Sequence, residues 1–175
     1  MATESRSILT ALNSAARQGS LSAAFILGRL YDEGWGVEAD PRKAFSWYLR
    51  AASAGLPEAF FFVGSAYDLG QGTRQDSAKA LGWFRRAAAA GDKTGACMAA
   101  VAVFEGRGTR MDRRRGMTLL RKAAREGSHE AMDYLAAYYL SQRDRRQAKV
   151  WAERAIEAGN RVAALRLRDS QSRFE

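Results

Sequence analysis

Few residues of this 175-residue chain are of types that carry out covalent chemistry. There is one histidine, His129, with Glu130 beside it, and there is one cysteine, Cys97. A histidine next to a carboxylate can act as a general base, and a thiolate can act as a nucleophile. No triad can be assembled around either residue from the sequence, and no spacing of ligand residues is typical of a metal site. We therefore expect no enzymatic activity, no metal and no cofactor.

Arginine is the abundant charged residue that could bind a partner, since it outnumbers lysine: only five of the 28 basic residues are lysine. A guanidinium forms paired hydrogen bonds with carboxylates and phosphates. Two arginine clusters fall at turns between predicted helices, which would align them along one edge of the fold. This predicted basic edge consists of Arg107, Arg110, Arg113, Arg114, Arg115, Arg143, Arg145 and Arg146. Because neither cluster contains an aromatic residue that could stack on bases, an acidic protein fits the edge better than a nucleic acid.

The positive charge is concentrated in the second half of the chain. Residues 1–87 contain 10 Lys and Arg against 8 Asp and Glu, whereas residues 88–175 contain 18 against 11. An acidic partner, a nucleic acid or an anionic surface would suit this half of the chain. A solvated basic face without any partner is the alternative.

The cysteine content and the hydropathy of the chain indicate in which cellular compartment the protein lies. A single cysteine excludes an intramolecular disulfide framework, which is typical of oxidising compartments. The N-terminal segment lacks the continuous apolar core of a secretory signal. The most apolar stretch, residues 59–67, is interrupted by Gly64 and is too short to cross a bilayer. We therefore expect a cytoplasmic protein that does not interact with a membrane.

A repeat of about 36 residues must position these groups. Glycine recurs three times at a spacing of 36 residues and once more after 32, at Gly19, Gly55, Gly91, Gly127 and Gly159. Aromatic residues recur in the same way, at Tyr31, Tyr67 and Tyr139 and at Trp47, Trp83 and Trp151. Matched columns over four units predict a solenoid of stacked helix pairs.

Each unit is predicted to be a pair of helices, A and B. Helix A of the first unit covers residues 22–33, and its apolar face consists of Ala23, Leu27, Leu30 and Tyr31. A Gly-x-Gly turn follows, and Asp40 and Pro41 begin helix B as N-cap and first helical residue. Trp47 and Ala51 of helix B should face helix A, where small residues allow a close approach.

A helix pair cannot cover its own apolar face, so the ends of the array should be atypical. We predict an N-terminal capping helix in residues 1–19 and a basic C-terminal capping helix in residues 160–175. The repeats between them are 20–55, 56–91, 92–127 and 128–159. The third is degenerate in its core columns, at Val103, Gly116 and Leu119, and the fourth lacks the Gly-x-Gly turn and is four residues shorter.

These columns resemble the Sel1-like repeat, an α/α relative of the tetratricopeptide repeat. The first unit carries A-x-x-x-L-G-x-x-Y-x-x-G-x-G-V-x-x-D-x-x-K-A-x-x-W-x-x-x-A-A-x-x-G from Ala23 to Gly55, and the resemblance covers about residues 20–159. It implies an all-α fold, a right-handed superhelical solenoid of about four helix pairs. It also implies an adaptor or scaffold of protein assemblies, in a family with many bacterial members.

By analogy with tetratricopeptide repeats, the A helices would line a concave surface that binds the partner. The predicted groove on this surface consists of Phe25, Arg29, Asp32, Phe61, Asp68, Phe104 and Leu140. Exposed large apolar residues are typical of interfaces. The alternatives are that the rings pack against the next A helix and that the two aspartates interact with their own helix surface.

Three functions are compatible with these features, and a hydrolase is a fourth that they favour least. The first is a scaffold that binds a protein, acidic in charge, through the groove or the basic edge. The second is a dedicated neutraliser or chaperone of one acidic toxin or effector. The third is nucleic-acid binding through the basic C-terminal half, and the exposed ends of the repeat array could also self-associate.

Overall fold

The computed structural model describes residues 2–159, and side chains from residue 7 onward. Its helices are α1 (Ala2–Arg17), α2 (Leu21–Glu33), α3 (Pro41–Ser53), α4 (Phe60–Leu69), α5 (Ser77–Ala89), α6 (Lys93–Glu105), α7 (Arg113–Arg125), α8 (His129–Ser141) and α9 (Arg145–Glu157). One 3-10 turn, Pro57–Ala59, precedes α4. This part of the chain contains no strand, which confirms the all-α prediction. The predicted C-terminal capping helix lies outside the described residues.

The chain divides into two compact units, residues 1–90 and residues 91–175. In the first unit α2 packs against α3 and α4 against α5, while α1 contacts α2 and α3 contacts α4. In the second unit α6 packs against α7 and α8 against α9, and α8 also contacts both α6 and α7. The A helices are thus α2, α4, α6 and α8, and the B helices are α3, α5, α7 and α9.

An aspartate begins every B helix. The carboxylates of Asp40, Asp76, Asp112 and Asp144 each accept a hydrogen bond of 2.9–3.0 Å from the backbone N–H three residues later. This cap satisfies one of the N–H groups that have no partner within the helix. Asp40 therefore has the role that the sequence predicts, and Asp144 keeps it in the shortened fourth repeat.

The fourth repeat is shortened at its A–B turn. Only residues 142–144 connect α8 to α9, whereas residues 34–40 connect α2 to α3. Arg143 in the short turn has a φ of 61°, in the left-handed region that glycine normally occupies. The compressed turn predicted from the sequence is therefore present.

Helices A and B meet at a position where the sizes of the two residues compensate. A Cβ atom at Gly28 would lie 2.5 Å from the ring of Tyr48, and one at Gly64 would lie 2.7 Å from the ring of Phe84. In the second unit the A helices have alanine in place of this glycine, and the B-helix residues opposite are smaller than Tyr48 and Phe84. All four pairs are buried: Gly28 with Tyr48, Gly64 with Phe84, Ala100 with Leu120, and Ala136 with Ala152.

The ring that α3 turns toward α2 is therefore Tyr48 and not the predicted Trp47. Residues 44, 48, 51 and 52 form the buried face of α3, which places residue 47 at its margin. Trp47 is half-buried, and the Arg50 guanidinium lies 5.5 Å from its ring centroid. Ala51, the other residue predicted to face helix A, is fully buried in the first core, on the same side of α3 as Tyr48.

Candidate partner-binding surfaces

The buried residues of α2 show which side of the A helices in the first unit faces away from the core. These residues are Ala23, Ala24, Leu27 and Gly28. Ile26, Arg29 and Glu33 lie on the other side of the helix at i, i+3 and i+7. On α4 the equivalent positions of residues 26 and 33 hold Phe62 and Leu69, and 63% of the Leu69 surface is exposed.

Arg29 joins this side of α2 to the following turn and to α4. Its guanidinium carbon lies 5.3 Å from the ring centroid of Trp35 and 5.8 Å from that of Phe62. Its Nη2 atom lies 3.5 Å from Glu33 Oε1. Trp35 is in the A–B turn and is 57% exposed. Rings on two sides orient the guanidinium while leaving part of it open to a carboxylate. We call Ile26, Arg29, Trp35, Phe62 and Leu69 the Arg29 face.

The phenylalanines predicted for the groove in this unit are packed against their own chain. The centroid of Phe25 lies 5.3 Å from Phe62 and 5.7 Å from Tyr48. Phe61 lies 5.8 Å from Phe62 and 5.9 Å from Phe84. Both rings are half-buried. Phe25 packs against the next A helix, as the alternative interpretation predicts, whereas Phe61 packs against α5, the B helix of its own repeat.

The aspartates predicted for the groove also interact within the chain. Tyr48 donates a hydrogen bond of 3.2 Å to Asp32 Oδ2, and burial, followed by the charge of Asp32, raises the pKa of Tyr48. Asp68 is 9% exposed, so the expectation that it borders an open groove is wrong. The physical reason is helical register, because Asp68 lies one turn after Gly64 on the side of α4 that faces α5.

In the second unit, Phe104 belongs to the contact between α6 and α8. Its ring centroid lies 6.0 Å from Tyr134 and 5.4 Å from Tyr138, both at right angles within about 10°. Phe104 is half-buried, whereas Leu140 keeps 41% of its surface exposed. Of the groove residues predicted in this unit, Leu140 is thus the more accessible.

Arg107 of the basic edge pairs with a carboxylate of its own unit. Arg107 Nε lies 2.9 Å from Glu105 Oε2, and Tyr134 donates a hydrogen bond of 2.9 Å to Glu105 Oε1. Burial and then this hydrogen bond raise the pKa of Tyr134. Arg107 is therefore less available to a partner than the sequence suggests.

The other predicted residues of the basic edge are exposed: Arg110, Arg113, Arg114, Arg115, Arg143, Arg145 and Arg146. Arg113–Arg115 form the first turn of α7, and Arg145 and Arg146 begin α9. Arg110 and Arg143 lie in the turns before these helices. All of these residues belong to the second unit.

Three residues that the sequence does not single out, Trp35, Arg121 and Arg125, are exposed and could contact a partner. Trp35 is a large apolar residue between two turn glycines, a placement that could have drawn attention. Arg121 and Arg125 lie further along α7, and both are exposed. A helical projection places them with Arg114 on one side of α7, since the three are separated by seven and four residues.

The candidate catalytic groups lie in packing contacts of the second unit. His129 Nε2 is 3.6 Å from Glu130 Oε1, and Glu130 accepts hydrogen bonds of 2.8 Å from Thr94 and 2.9 Å from Ser128. Burial acts to raise the pKa of Glu130, but the hydrogen bonds outweigh it and hold the pKa below the ordinary value. Burial raises the pKa of Cys97 to about 12, so this thiol is a poor nucleophile at neutral pH.

Residues 2–159 contain no group of three His, Cys, Asp or Glu residues arranged to hold a metal ion. Within the same part of the chain, no helix combines the length and the apolar character needed to cross a bilayer.

Comparison with known proteins agrees with the resemblance seen in the sequence. Residues 21–56, 57–92, 95–128 and 129–160 each match the Sel1 repeat. A search of curated proteins finds no significant match.

Several solved structures share the fold. A protective antigen of uropathogenic Escherichia coli that displays an SLR fold is 30% identical with a TM-score of 0.77, over 94% of this chain and 36% of that protein. A Sel1 repeat protein from Oxalobacter formigenes is 29% identical with a TM-score of 0.78, over 89% of this chain and 65% of the other. This chain thus spans less than two thirds of either relative. An immunity protein from Pseudomonas aeruginosa is 22% identical with a TM-score of 0.62, over 89% of this chain and 59% of that protein, a likeness of fold alone.

Proposed function

Because the chain belongs to the Sel1 repeat family, whose members generally mediate protein–protein interaction, we propose that it is a scaffold that binds a protein partner through the Arg29 face. The observation that carries this proposal is the Arg29 guanidinium held between the rings of Trp35 and Phe62. Tryptophan and arginine are the residue types that most often dominate binding energy at protein interfaces.

The chemistry of the Arg29 face indicates what the partner presents. Trp35 and Leu69 expose more than half of their surfaces, and removing such apolar area from water is favourable by roughly 25 cal/mol per Å² before the costs of association. Arg29 already lies against Glu33, but 35% of its side-chain surface stays exposed, so a second carboxylate can reach its guanidinium group. The face therefore suits a protein segment with a carboxylate next to large apolar side chains.

An aromatic photo-crosslinking amino acid, which keeps a large ring at position 35, tests this proposal in living cells. We expect it to form a discrete adduct with one protein, which mass spectrometry identifies, because the side chain lies inside the interface. The same probe at position 85, on the exposed side of α5, serves as the control.

The adduct at position 35 should weaken when Arg29→Ala or Leu69→Ser is introduced beside the probe. Adducts that are the same at positions 35 and 85 would contradict the proposal, and so would an adduct that neither substitution reduces.

A second candidate function is the dedicated neutraliser or chaperone of an acidic toxin or effector. It is supported by the exposed arginines at the starts of α7 and α9, and an immunity protein shares the fold. Co-expression with the acidic proteins encoded beside its gene tests this function. Rescue of growth from a toxic neighbour would support it, and lack of rescue with every neighbour would count against it.

A further inference from the structure

Helix α7 carries more positive charge than the other B helices. Six of its thirteen residues are Arg or Lys, whereas α3 and α5 have three each and α9 has four. The buried side of α7 consists of Gly116, Leu120, Ala123 and Ala124. The opposite side, which we call the α7 stripe, consists of Arg114, Thr118, Arg121 and Arg125, all exposed. At 1.5 Å per residue this stripe is about 16 Å long.

The other B helices show that the fold does not require the stripe. The repeat spacing gives the equivalent positions, which are Arg42, Ser46, Leu49 and Ser53 in α3, Ala78, Gly82, Arg85 and Ala89 in α5, and Arg146, Val150, Glu153 and Glu157 in α9. None of these helices has more than one arginine among the four positions. Three arginines on one side of α7 are therefore a property of this helix and not of the repeat.

A different basic column has a structural role in the repeat. Arg50, Arg86 and Arg154 each lie over the tryptophan three residues earlier, at 5.5, 4.6 and 4.9 Å from its ring centroid. The equivalent residue of α7 is Lys122, which lies 3.8 Å from Glu126 instead. This column explains one basic residue in each B helix and leaves the stripe arginines unexplained.

Hydrogen bonds orient two of the stripe arginines, Arg121 and Arg125, and the described part of the chain shows no ion pair at any of the three. Arg121 donates a hydrogen bond of 2.6 Å to the hydroxyl of Tyr139, and Arg125 Nε donates one of 3.3 Å to the backbone carbonyl of Arg121. Like charges four residues apart on a helix repel each other, and an arginine in the first turn opposes the helix dipole. The repulsion between Arg121 and Arg125 and the position of Arg114 near the start of α7 are both unfavourable for the isolated helix. A negatively charged partner would reduce both effects.

We infer that the α7 stripe binds an acidic α-helix of a protein partner, lying alongside α7. Arginines at i, i+7 and i+11 repeat with the period of one helix face, and carboxylates on one side of a second helix repeat with the same period. The guanidinium groups form paired hydrogen bonds with carboxylates. A nucleic acid fits less well, because α7 itself has no aromatic residue to stack on a base, with Leu119 where the other B helices have tryptophan, and the hydroxyl of the neighbouring Tyr139 is bound to Arg121. This surface belongs to the second unit and is separate from the Arg29 face of the proposed function.

The test uses a synthetic helical peptide of about 18 residues with glutamates at i, i+4, i+7 and i+11, and an isomer that distributes the same glutamates around the helix. Fluorescence anisotropy at about 50 mM salt measures both affinities for the full chain. We expect the striped peptide to bind about ten-fold more tightly than its isomer, because only the striped peptide can engage three guanidinium groups at once.

The variant Arg114→Glu/Arg121→Glu/Arg125→Glu should lose about ten-fold in affinity for the striped peptide. The matched control is Arg42→Glu/Arg74→Glu/Arg85→Glu, which reverses three exposed arginines of the first unit and lowers the net charge by the same amount, from +9 to +3. We expect the control to stay within about three-fold of the native chain, since its surplus charge acts only at long range. Arg114→Gln/Arg125→Gln keeps the Arg121–Tyr139 hydrogen bond and replaces the triple variant if circular dichroism shows that the latter is unfolded.

Equal affinity for the two peptides would overturn the inference, as would an equal loss in the control. Tighter binding of a DNA or RNA oligonucleotide, lost in the stripe variant, would assign the stripe to nucleic acid instead. Crosslinking at position 35 should be unchanged in the stripe variant, so a failure here is distinguishable from a failure of the proposed function.

Discussion

At the scale of single residues, Arg143 shows how the shortened repeat closes its turn. The residue has a φ of 61°, and its N–H donates to the carbonyl of Leu140 at 3.0 Å. After α3 the same hydrogen bond is made by a glycine, since Gly55 has a φ of 95° and donates to the carbonyl of Ala52 at 3.0 Å. A side chain in this region crowds the backbone, and the cost is about 1 kcal/mol.

Replacing Arg143 with glycine should therefore stabilise the protein. We expect Arg143→Gly to raise the free energy of unfolding by about 0.5 kcal/mol, since relief of the backbone strain is partly offset by greater freedom of the unfolded chain. Urea denaturation measures this change. Arg146→Gly removes the same charge from the first turn of α9 and should lower the free energy of unfolding by about 0.5–1 kcal/mol. A destabilised Arg143→Gly protein would contradict the interpretation.

Cys97 makes a second prediction about a single residue. Burial raises its pKa from 9.0 to about 12, so the thiol should react with Ellman's reagent at pH 8 only after unfolding. Because the pKa is higher in the folded state, this group's contribution to stability is complete below pH 9 and is lost as the pH rises from 9 toward 12. Reaction of the native protein as fast as of the urea-unfolded protein would disprove the predicted burial.

At the scale of helices, the third repeat differs from the others in how closely its two helices approach. A Cβ atom at Gly116 would lie 2.5 Å from the Cα and 2.6 Å from the backbone nitrogen of Phe104. The other B helices have alanine at this position, namely Ala44, Ala80 and Ala148. The glycine that the sequence analysis took for a degenerate core residue is therefore what allows α7 to pack closely on α6.

Gly116→Ala should destabilise the protein by about 1–3 kcal/mol, because the new methyl group meets backbone atoms that cannot rotate away. Gly82→Ala is the matched control, since a Cβ at this exposed position in α5 has nothing within 4 Å. The control should stabilise the protein by about 0.5–1 kcal/mol through helix propensity. Thermal unfolding followed by circular dichroism compares the two, and equal effects would rule out the close approach.

At the scale of the whole molecule, each unit contains its own hydrophobic core. The first core draws its buried residues from positions 16–63, and the second from positions 97–155. Most of the excess charge lies in the second half of the chain, whose residues 88–175 hold 18 basic against 11 acidic side chains. The two units therefore differ in chemistry, with the aromatic Arg29 face in one and the basic α7 stripe in the other.

Expressed separately, residues 1–90 and residues 91–175 should each fold into a helical protein that unfolds cooperatively, because each unit keeps its own core. Far-ultraviolet circular dichroism during urea denaturation measures this. A half that shows no cooperative transition would mean that its core depends on residues of the other half.

The repeat pattern predicted the elements of this fold well, and individual side-chain environments less well. The predictions of helix A in the first repeat, of the Asp40 cap and of the compressed turn in the fourth repeat agree with the structure. Each of these features depends on neighbours within a few residues. Asp68 was expected to border an open groove but is buried, whereas Trp47 was expected to face helix A but lies at the margin of the buried face. A projection of one helix does not give the direction from which its neighbour approaches, and a rotation of about 100° per residue decides between core and surface.

The glycine and aspartate spacing by itself determined that this protein consists of helix pairs and where each pair begins. Tertiary structure decided how individual arginines are held, since Tyr134 of α8 donates to the Glu105 carboxylate that pairs with Arg107, while Phe62 of α4 lies against Arg29 of α2. It also decided that Gly116 serves a close helix contact. Capping and periodicity are local interactions that residue types reveal, whereas exposure and pairing depend on distances between segments that are remote in the chain.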